Sequence, residues 1–306
     1  MSGPIKTIAR ILESAGSNAL NNNELSLLTV NGTRLVENIY DGEALKDQRK
    51  VADGVKSGSF AVYIISQSNA HILYISNDNS LEASEFDSDS DEWEETELQG
   101  LGELTVHPKS KLATATLHEI ILVFYQRADG TINSILLDQA DSATKGWSEG
   151  FAIPGDAQTG TPISAFSTDT ALVVSFIGKD GSVHVHSRDL QSGDWKDIIL
   201  KNSSWNDTVT NMVVSQDIET GGFEVFALVN TNVDRVKNDG TRSTLGQILS
   251  GKFVPTTQAE AGDIYVYGNN YGTITNYGNY PYNNYGGGYG CYRIPVCRPV
   301  CRPYWC

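Results

Sequence analysis

The sequence predicts an all-β chain, a β-propeller of five or six four-stranded blades followed by a low-complexity C-terminal tail. Three observations carry this. A unit made of an apolar run, a tight turn, a second apolar run and a Trp recurs along the chain. Its turns include Asn-Gly and Asp-Gly, strong hairpin signals because both residue types tolerate positive φ. The period is roughly 40 to 60 residues, the length of a small sheet that buries its faces against copies of itself around an axis.

The clearest copy is ILVFYQRADGTINSILLDQADSATKGW at 121–147, where Asp129-Gly130 turns the hairpin and Trp147 closes the unit. In LVVSFIGKDGSVHVHSRDLQSGDW at 172–195, Asp180-Gly181 follows 51 residues after Asp129-Gly130, and Trp195 takes the part of Trp147. A looser copy runs from 60 to 93, with its turn read at Asn69-Ala70 and an acidic insertion before Trp93. Two weaker copies lie at 25–41 and 223–239. With turns at 32, 70, 130, 181 and about 233, the spacings are 38, 60, 51 and 52 residues. Flanking runs complete four strands, as TPISAFST and WKDIIL do around the copy at 172–195. A plain β-sandwich is the competing architecture, but it does not account for a Trp recurring at one place in the unit. Five blades fit within residues 1–254, the expected lectin-like propeller domain, and a sixth would draw on the N-terminal segment or the tail.

The tail, 255–306, is different in kind. It holds ten of the fourteen tyrosines in a Gly/Asn/Tyr-rich run, ending in a Cys/Arg/Pro segment. With branched aliphatics nearly absent it cannot build a packed core, and polar-aromatic alternation favours cross-β association. All four cysteines, Cys291, Cys297, Cys301 and Cys306, lie here. Their spacing differs from the paired C-x2-C of common zinc sites, and Arg293, Arg298 and Arg302 interleave with them. Positive neighbours lower a thiol's pKa and raise its reactivity, so disulfides or cross-links, and a homo-oligomer formed through the tail, are expected.

The formal charge of −15 opposes a phosphate-binding surface and excludes nucleic acid as an expected partner. The N-terminal MSGPIKTIARILESAGS lacks the apolar core of a secretory signal, and no apolar run has the length of a membrane span. The expectation is a protein without membrane insertion, either cytoplasmic or exported without a signal peptide.

The blades resemble the fungal fucose-specific lectin family, six-bladed propellers whose repeat reads approximately R-V-Y-Y-Q-x-x-D-G-x-I-x-E followed by G-W. LVFYQRADGTINS with its following GW carries the resemblance over 122–147, and the next blade carries it less closely. The resemblance implies a propeller that binds glycans or glycoproteins. In that family the leading Arg and trailing Glu hold the sugar hydroxyls, and an aromatic from an adjoining blade packs on the apolar face. Here Leu122, Val173 and Val62 stand at the Arg position, and Ser134, Val185 and Tyr74 at the Glu position. An aliphatic side chain cannot donate a guanidinium's forked hydrogen bonds, so the fucose site in its usual form is not expected.

Trp93, Trp147 and Trp195 remain as carbohydrate-binding candidates, since an aromatic face stacks on the C–H face of a sugar; the alternative is blade-to-blade packing. His184 and His186, two apart on a strand, share a face and could chelate a metal, but no third ligand is evident and ordinary strand histidines are favoured. Asp87, Asp89 and Asp91 alternate as in a calcium loop, yet Glu92 stands where that loop needs Gly and Leu98 where it needs Glu; a solvated loop is favoured. Asn31, Asn202 and Asn206 match the glycosylation pattern by chance composition. No nucleophile motif, metal triad or phosphate loop stands out, and neither an enzyme nor a cofactor is expected. The leading function is therefore a non-enzymatic lectin-like propeller with ligands in inter-blade pockets. The alternative is a structural, self-assembling protein whose propeller is a display body and whose tail drives oligomerisation.

Overall fold

A computed structural model describes residues 4–19, 24–65, 70–117, 119–139, 146–216 and 220–256. The tail beyond 256, with Cys291, Cys297, Cys301 and Cys306, lies outside the described residues, as does the loop 66–69. The described chain folds into five antiparallel sheets. Blade 1 comprises β1 (Gly16–Ala19), β2 (Glu24–Asn31), β3 (Arg34–Asp41) and β4 (Ala44–Ala52). Blade 2 comprises β5 (Ala61–Ile65), β6 (Ala70–Ile75), β7 (Leu81–Asp87) and β8 (Glu92–Thr96). Blade 3 comprises β9 (Ala113–Leu117), β10 (Ile120–Gln126), β11 (Ile132–Asp138) and β12 (Trp147–Ala152). Blade 4 comprises β13 (Ile163–Ser167), β14 (Ala171–Ile177), β15 (Val183–Asp189) and β16 (Trp195–Ile199). Blade 5 has a fifth strand: β17 (Val209–Gln216), β18 (Phe223–Val229), β19 (Asn232–Val236), β20 (Arg242–Leu249) and β21 (Lys252–Pro255). First strands of successive blades approach one another, so they line the axis.

Burial explains the residue pattern along each blade. The second strand of a blade is covered on both faces by its neighbours, and it reads as an apolar run with one polar residue in each: IILVFYQ in β10, ALVVSFI in β14, FEVFALV in β18. The outer strands β12 (WSEGFA) and β16 (WKDII) meet solvent and carry charge.

The repeat is more regular than the sequence reading has it. Asn79, Gly130 and Gly181 occupy one turn position in steps of 51 residues, each with positive φ (65°, 91° and 81°). Blade 2 therefore turns at Asn79, not at Asn69-Ala70, where Ala70 opens β6. In blade 5 the turn between the second and third strands falls at Asn230 (φ 54°), close to the place the sequence reading gives it, and a further tight turn follows at Gly240 (φ 87°) between β19 and β20. An aspartate locks these turns: Asp129 accepts the Thr131 amide at 2.9 Å, Asp180 that of Ser182 at 3.0 Å, and Asp239 that of Thr241 at 2.8 Å. Hydrogen bonds to the charged carboxylates hold all three below the usual carboxylate range. The inter-blade linkers are stitched in the same period, with Lys56 N donating to Ile75 O, His107 N to Gln126 O and Gln158 N to Ile177 O at 2.8–2.9 Å.

Apolar clusters fill the four seams between consecutive blades, and a fifth joins blade 5 to blade 1 through a helix. That helix, α1 (Pro4–Glu13), is absent from the sequence reading, which assigns this segment no element. It begins with Pro at its first helical position, where the missing N–H costs nothing. Ile8, Ala9, Ile11 and Leu12 are all buried, between Leu25 and Leu27 of blade 1 and Phe226 and Leu228 of blade 5. Polar contacts reach both sides: Asn211 Nδ2 on β17 donates to Leu12 O at 3.0 Å, and Arg10 Nη1 to Gly42 O at 2.8 Å, its guanidinium 3.9 Å over the Tyr40 ring.

Truncating Leu12 to Ala removes apolar volume from the closing seam and is expected to cost about 3 kcal/mol, within the usual 2–5, read as a lowered urea midpoint. A second expectation concerns Lys111 at the seam of blades 2 and 3, where Nζ donates to Gly58 O (3.1 Å) and lies 4.2 Å over the Phe60 ring. Burial lowers its pKa from 10.5 to about 8. Between those values the unfolded chain holds a proton that the folded chain has released, so stability rises as pH increases through this window. Urea midpoints at pH 7.5 and 9.5 should therefore differ in favour of the higher pH, and Lys111→Met should reduce the difference.

Candidate functional site

Each sequence-selected Trp stands at the start of an outer strand and is paired across the sheet with one residue of the third strand: Trp93 with Phe86, Trp147 with Leu137, Trp195 with Arg188. Their surroundings differ. Trp93 and Trp147 are each 9% exposed. Trp93 Nε1 donates to Glu37 Oε2 at 2.9 Å, and this buried carboxylate on β3 also accepts from Ser26 Oγ (2.8 Å) and Tyr63 Oη (3.0 Å). Three donors around one carboxylate are what a buried charge requires. Burial, with Glu37 alongside, pushes the Tyr63 hydroxyl well above its ordinary pKa, so it stays a donor. Trp147 is a member of the buried cluster between blades 2 and 3, on which Leu98, Leu101, Leu104 and Leu137 pack. Trp195 is the half-buried member, its ring 6.0 Å from Phe151 of blade 3 and 6.5 Å from His186.

Around Trp195 the seam forms an arginine-aromatic corner. Arg188 Cζ lies 4.9 Å over the Phe151 ring, Phe151 coming from β12 and Arg188 and Trp195 from blade 4. The same corner recurs between blades 1 and 2 with cation and ring exchanged: Arg49 on β4 lies 5.1 Å over Phe86, which is 5.3 Å from Trp93. A third pairing, Arg242 over Trp205 at 4.8 Å, sits between blades 4 and 5, and sequence reasoning missed it because Trp205 lies on a linker. The arginines are not equally engaged. Arg49 pairs with Asp47 and Asp91 at 3.0 Å each, and Arg242 with Asp234 at 2.8 Å. Arg188 donates from Nε to Gly193 O at 3.2 Å and makes no ion pair among the described residues.

The positions that carry sugar ligands in the lectin repeat are core here. Leu122, Val173, Val185, Val62 and Tyr74 are at most 2% exposed, and Ser134 bonds the backbone of Phe151, accepting from N (3.0 Å) and donating to O (3.1 Å). With blade 2 turning at Asn79, its equivalents of Leu122 and Ser134 become His71 and Ala83 in place of Val62 and Tyr74. That correction restores neither Arg nor Glu.

Asp87 caps its own loop, accepting from Asp89 N and Ser90 Oγ at 2.9 Å, while Asp91 binds Arg49; the three aspartates do not converge as a cation site among the described residues. Asn202 donates its side-chain amide to Gly240 O at 2.9 Å. A recess of about 550 Å³ on blade 1, lined by Asn31, Arg34, Gln48 and Asp53 among others, is open and polar with no aromatic wall.

The sequence matches no protein-family model and no curated protein. Solved structures do match in fold. AofleA from Arthrobotrys oligospora superposes with a TM-score of 0.57 at 16% identity, covering 77% of this chain and 71% of that one. Aleuria aurantia lectin, described as a fungal lectin with a six-bladed β-propeller fold and a novel fucose recognition mode, gives 0.55 at 17% identity over 76% of each chain. The lectin BP39L from Burkholderia pseudomallei gives 0.54 at 17% identity over 77% and 70%. At these identities the likeness establishes the propeller fold. The described part of this chain has five blades where Aleuria aurantia lectin has six.

Replacing Glu37 with Gln turns an amide NH2 toward donors that now meet a carboxylate, and should lower stability by about 2 kcal/mol. Trp195→Ala, at a half-exposed place, should cost about 1 kcal/mol. Paired urea denaturations of the two variants check the ranking.

Proposed function

We propose that this protein is a non-enzymatic, lectin-like propeller that binds glycans, and that the corner of Phe151, Arg188 and Trp195 between blades 3 and 4 is its carbohydrate site. The observation that carries the reading is that corner: two rings from adjoining blades, with a guanidinium over one of them that has no carboxylate partner among the described residues. Apolar faces stack on the C–H surface of a sugar ring, and a guanidinium offers a polyol several donors in fixed geometry. Trp93 and Trp147, with 9% exposure each, serve the seams in this reading, and Trp195 alone of the three meets ligand. Support from fold is the likeness to lectin propellers. Fucose held in the usual way is not part of the proposal, because Leu122 and Ser134 cannot replace Arg and Glu.

The test is a glycan array with the full chain, followed by calorimetry on the best glycan. Trp195→Ala and Arg188→Met should each weaken binding about tenfold, the scale of one stacking contact or one charge-assisted hydrogen bond. Arg34→Ala in the open recess of blade 1 should leave affinity unchanged. Absence of any bound glycan, or full affinity in the Trp195 and Arg188 variants, would overturn the proposal.

A further inference from the structure

Next to the Trp195 ring, blade 4 brings together a second group of side chains. His184 and His186 project from one face of β15, and the sheet register sets Asp197 of β16 directly opposite His186. Asp197 is the third donor that sequence spacing does not reveal, because it belongs to another strand. His184 Nδ1 lies 3.0 Å from Asp197 Oδ2, and His186 Nε2 lies 3.7 Å from Asp197 Oδ1. One ligand atom from each of the three residues lies within 4.8 Å of the others. Two ligands on one zinc ion at about 2.1 Å stand roughly 3 to 3.4 Å apart, so small side-chain rotations close the set.

Histidine-carboxylate pairing by itself accounts for His184, whose Nε2 lies 3.2 Å from Asp180 Oδ1 while Nδ1 faces Asp197. It does not account for His186. That residue is 2% exposed, and both ring nitrogens are buried without a hydrogen-bond partner. A buried imidazole in this state leaves a lone pair unsatisfied, which costs about 1–3 kcal/mol. A cation held by His186 Nε2, His184 Nδ1 and Asp197 gives that lone pair its partner.

The surroundings fit such a role. Phe176 stacks on His186 at 4.9 Å and on His184 at 6.2 Å, with interplanar angles of 13° and 7°, which fixes both rings in nearly parallel planes. Two glycines leave room for them. A Cβ on Gly178 would come within 2.7 Å of His184 Nε2, and one on Gly155 within 3.1 Å of His186 Nε2. Asp180, on the far nitrogen of His184, stands where a ligating histidine places the carboxylate that orients it. Asp197 has 42% of its side chain exposed, so an ion has a path from solvent.

We infer that His184, His186 and Asp197 form a binding site for a divalent first-row transition ion, zinc foremost, with Asp180 orienting His184. Two imidazoles and one carboxylate suit zinc, cobalt or nickel and do not suit calcium, which takes oxygen ligands. The site stands independently of the glycan reading.

The test uses the full chain with its cysteines alkylated, so that Cys291, Cys297, Cys301 and Cys306 cannot hold metal. After chelator treatment and dialysis, calorimetric titration with zinc chloride should show one equivalent bound, and the thermal midpoint should rise with zinc. Asp197→Asn and His186→Leu should each lower zinc affinity at least tenfold. His186→Leu, which replaces an unpartnered polar ring by an apolar side chain, should keep its far-ultraviolet circular dichroism and cooperative melt. Asp197→Asn alters a part-exposed group and guards against a folding failure in the first variant. No zinc uptake by the alkylated wild-type chain, unchanged affinity in both variants, or equal binding of calcium would each overturn the assignment.

Discussion

A blade whose middle strands are apolar on both faces cannot be left with a face in water, and this requirement governs the molecule. Four of the five blade faces that need covering from the next blade are covered directly, and the last is covered by α1. Ile8, Ile11 and Leu12 each contribute about 1.5–3 kcal/mol on burial, so the helix is an integral part of the core. Phe226 and Leu228 would otherwise lie on an open sheet face, since the closing cluster holds them against the helix and blade 1. Closure also aligns the seams, and the seams are where the chain places its unusual side chains.

Polar groups in those seams fall into two kinds. The Glu37 carboxylate with Ser26, Tyr63 and Trp93 is fully partnered, and so is Asp234, which accepts from Trp205 Nε1, Arg242 Nη2 and Thr244 Oγ1 at 2.7–2.9 Å. These networks join neighbouring blades or strands and leave little to offer a ligand. On blade 4 the balance differs. Arg188 retains unpaired donors and His186 unpaired nitrogens, and both lie against Trp195 or its neighbour Phe151. Charge pairing therefore separates the two corners: the Arg49 guanidinium between blades 1 and 2 is neutralised by Asp47 and Asp91, and Arg188 has no such partner among the described residues.

Much of the fold is legible in the amino-acid order because its governing signals are local. The Asp129-Gly130 and Asp180-Gly181 turns combine a capping carboxylate with a residue at positive φ, and the Trp after each hairpin starts an outer strand. Phase was harder to read where the glycine is missing. Blade 2 uses Asn79, which adopts the same φ without announcing it, and the apolar run before 69 belongs to the first strand instead of the second. In blade 5 the turn is made by Asn230, again without a glycine, so its place is legible only approximately. The ten residues of α1 give no repeat signal, since half of their packing partners, on blade 5, lie some two hundred residues away. The same limit hides the Asp197 partner of His186 and the exchange of Arg and Phe between equivalent corners, which only a cross-strand register or a seam can display.

The hydrogen bond from Asn211 to Leu12 spans 199 residues of chain. At a synthesis rate of about 5–20 residues per second, roughly 10 to 40 seconds separate the emergence of those two groups from the ribosome. Throughout that interval the nascent polypeptide carries an amphipathic segment whose blade 5 partners have not been made, with Ile8, Ile11 and Leu12 open to whatever apolar surface it encounters. Blades 1 to 4 can pack on one another in order as they are translated, but the ring stays a crescent until blade 5 arrives. The helix can find its blade 1 partners early, but its blade 5 face stays uncovered until the chain is almost complete, and the cellular hazard of this architecture is concentrated in the wait.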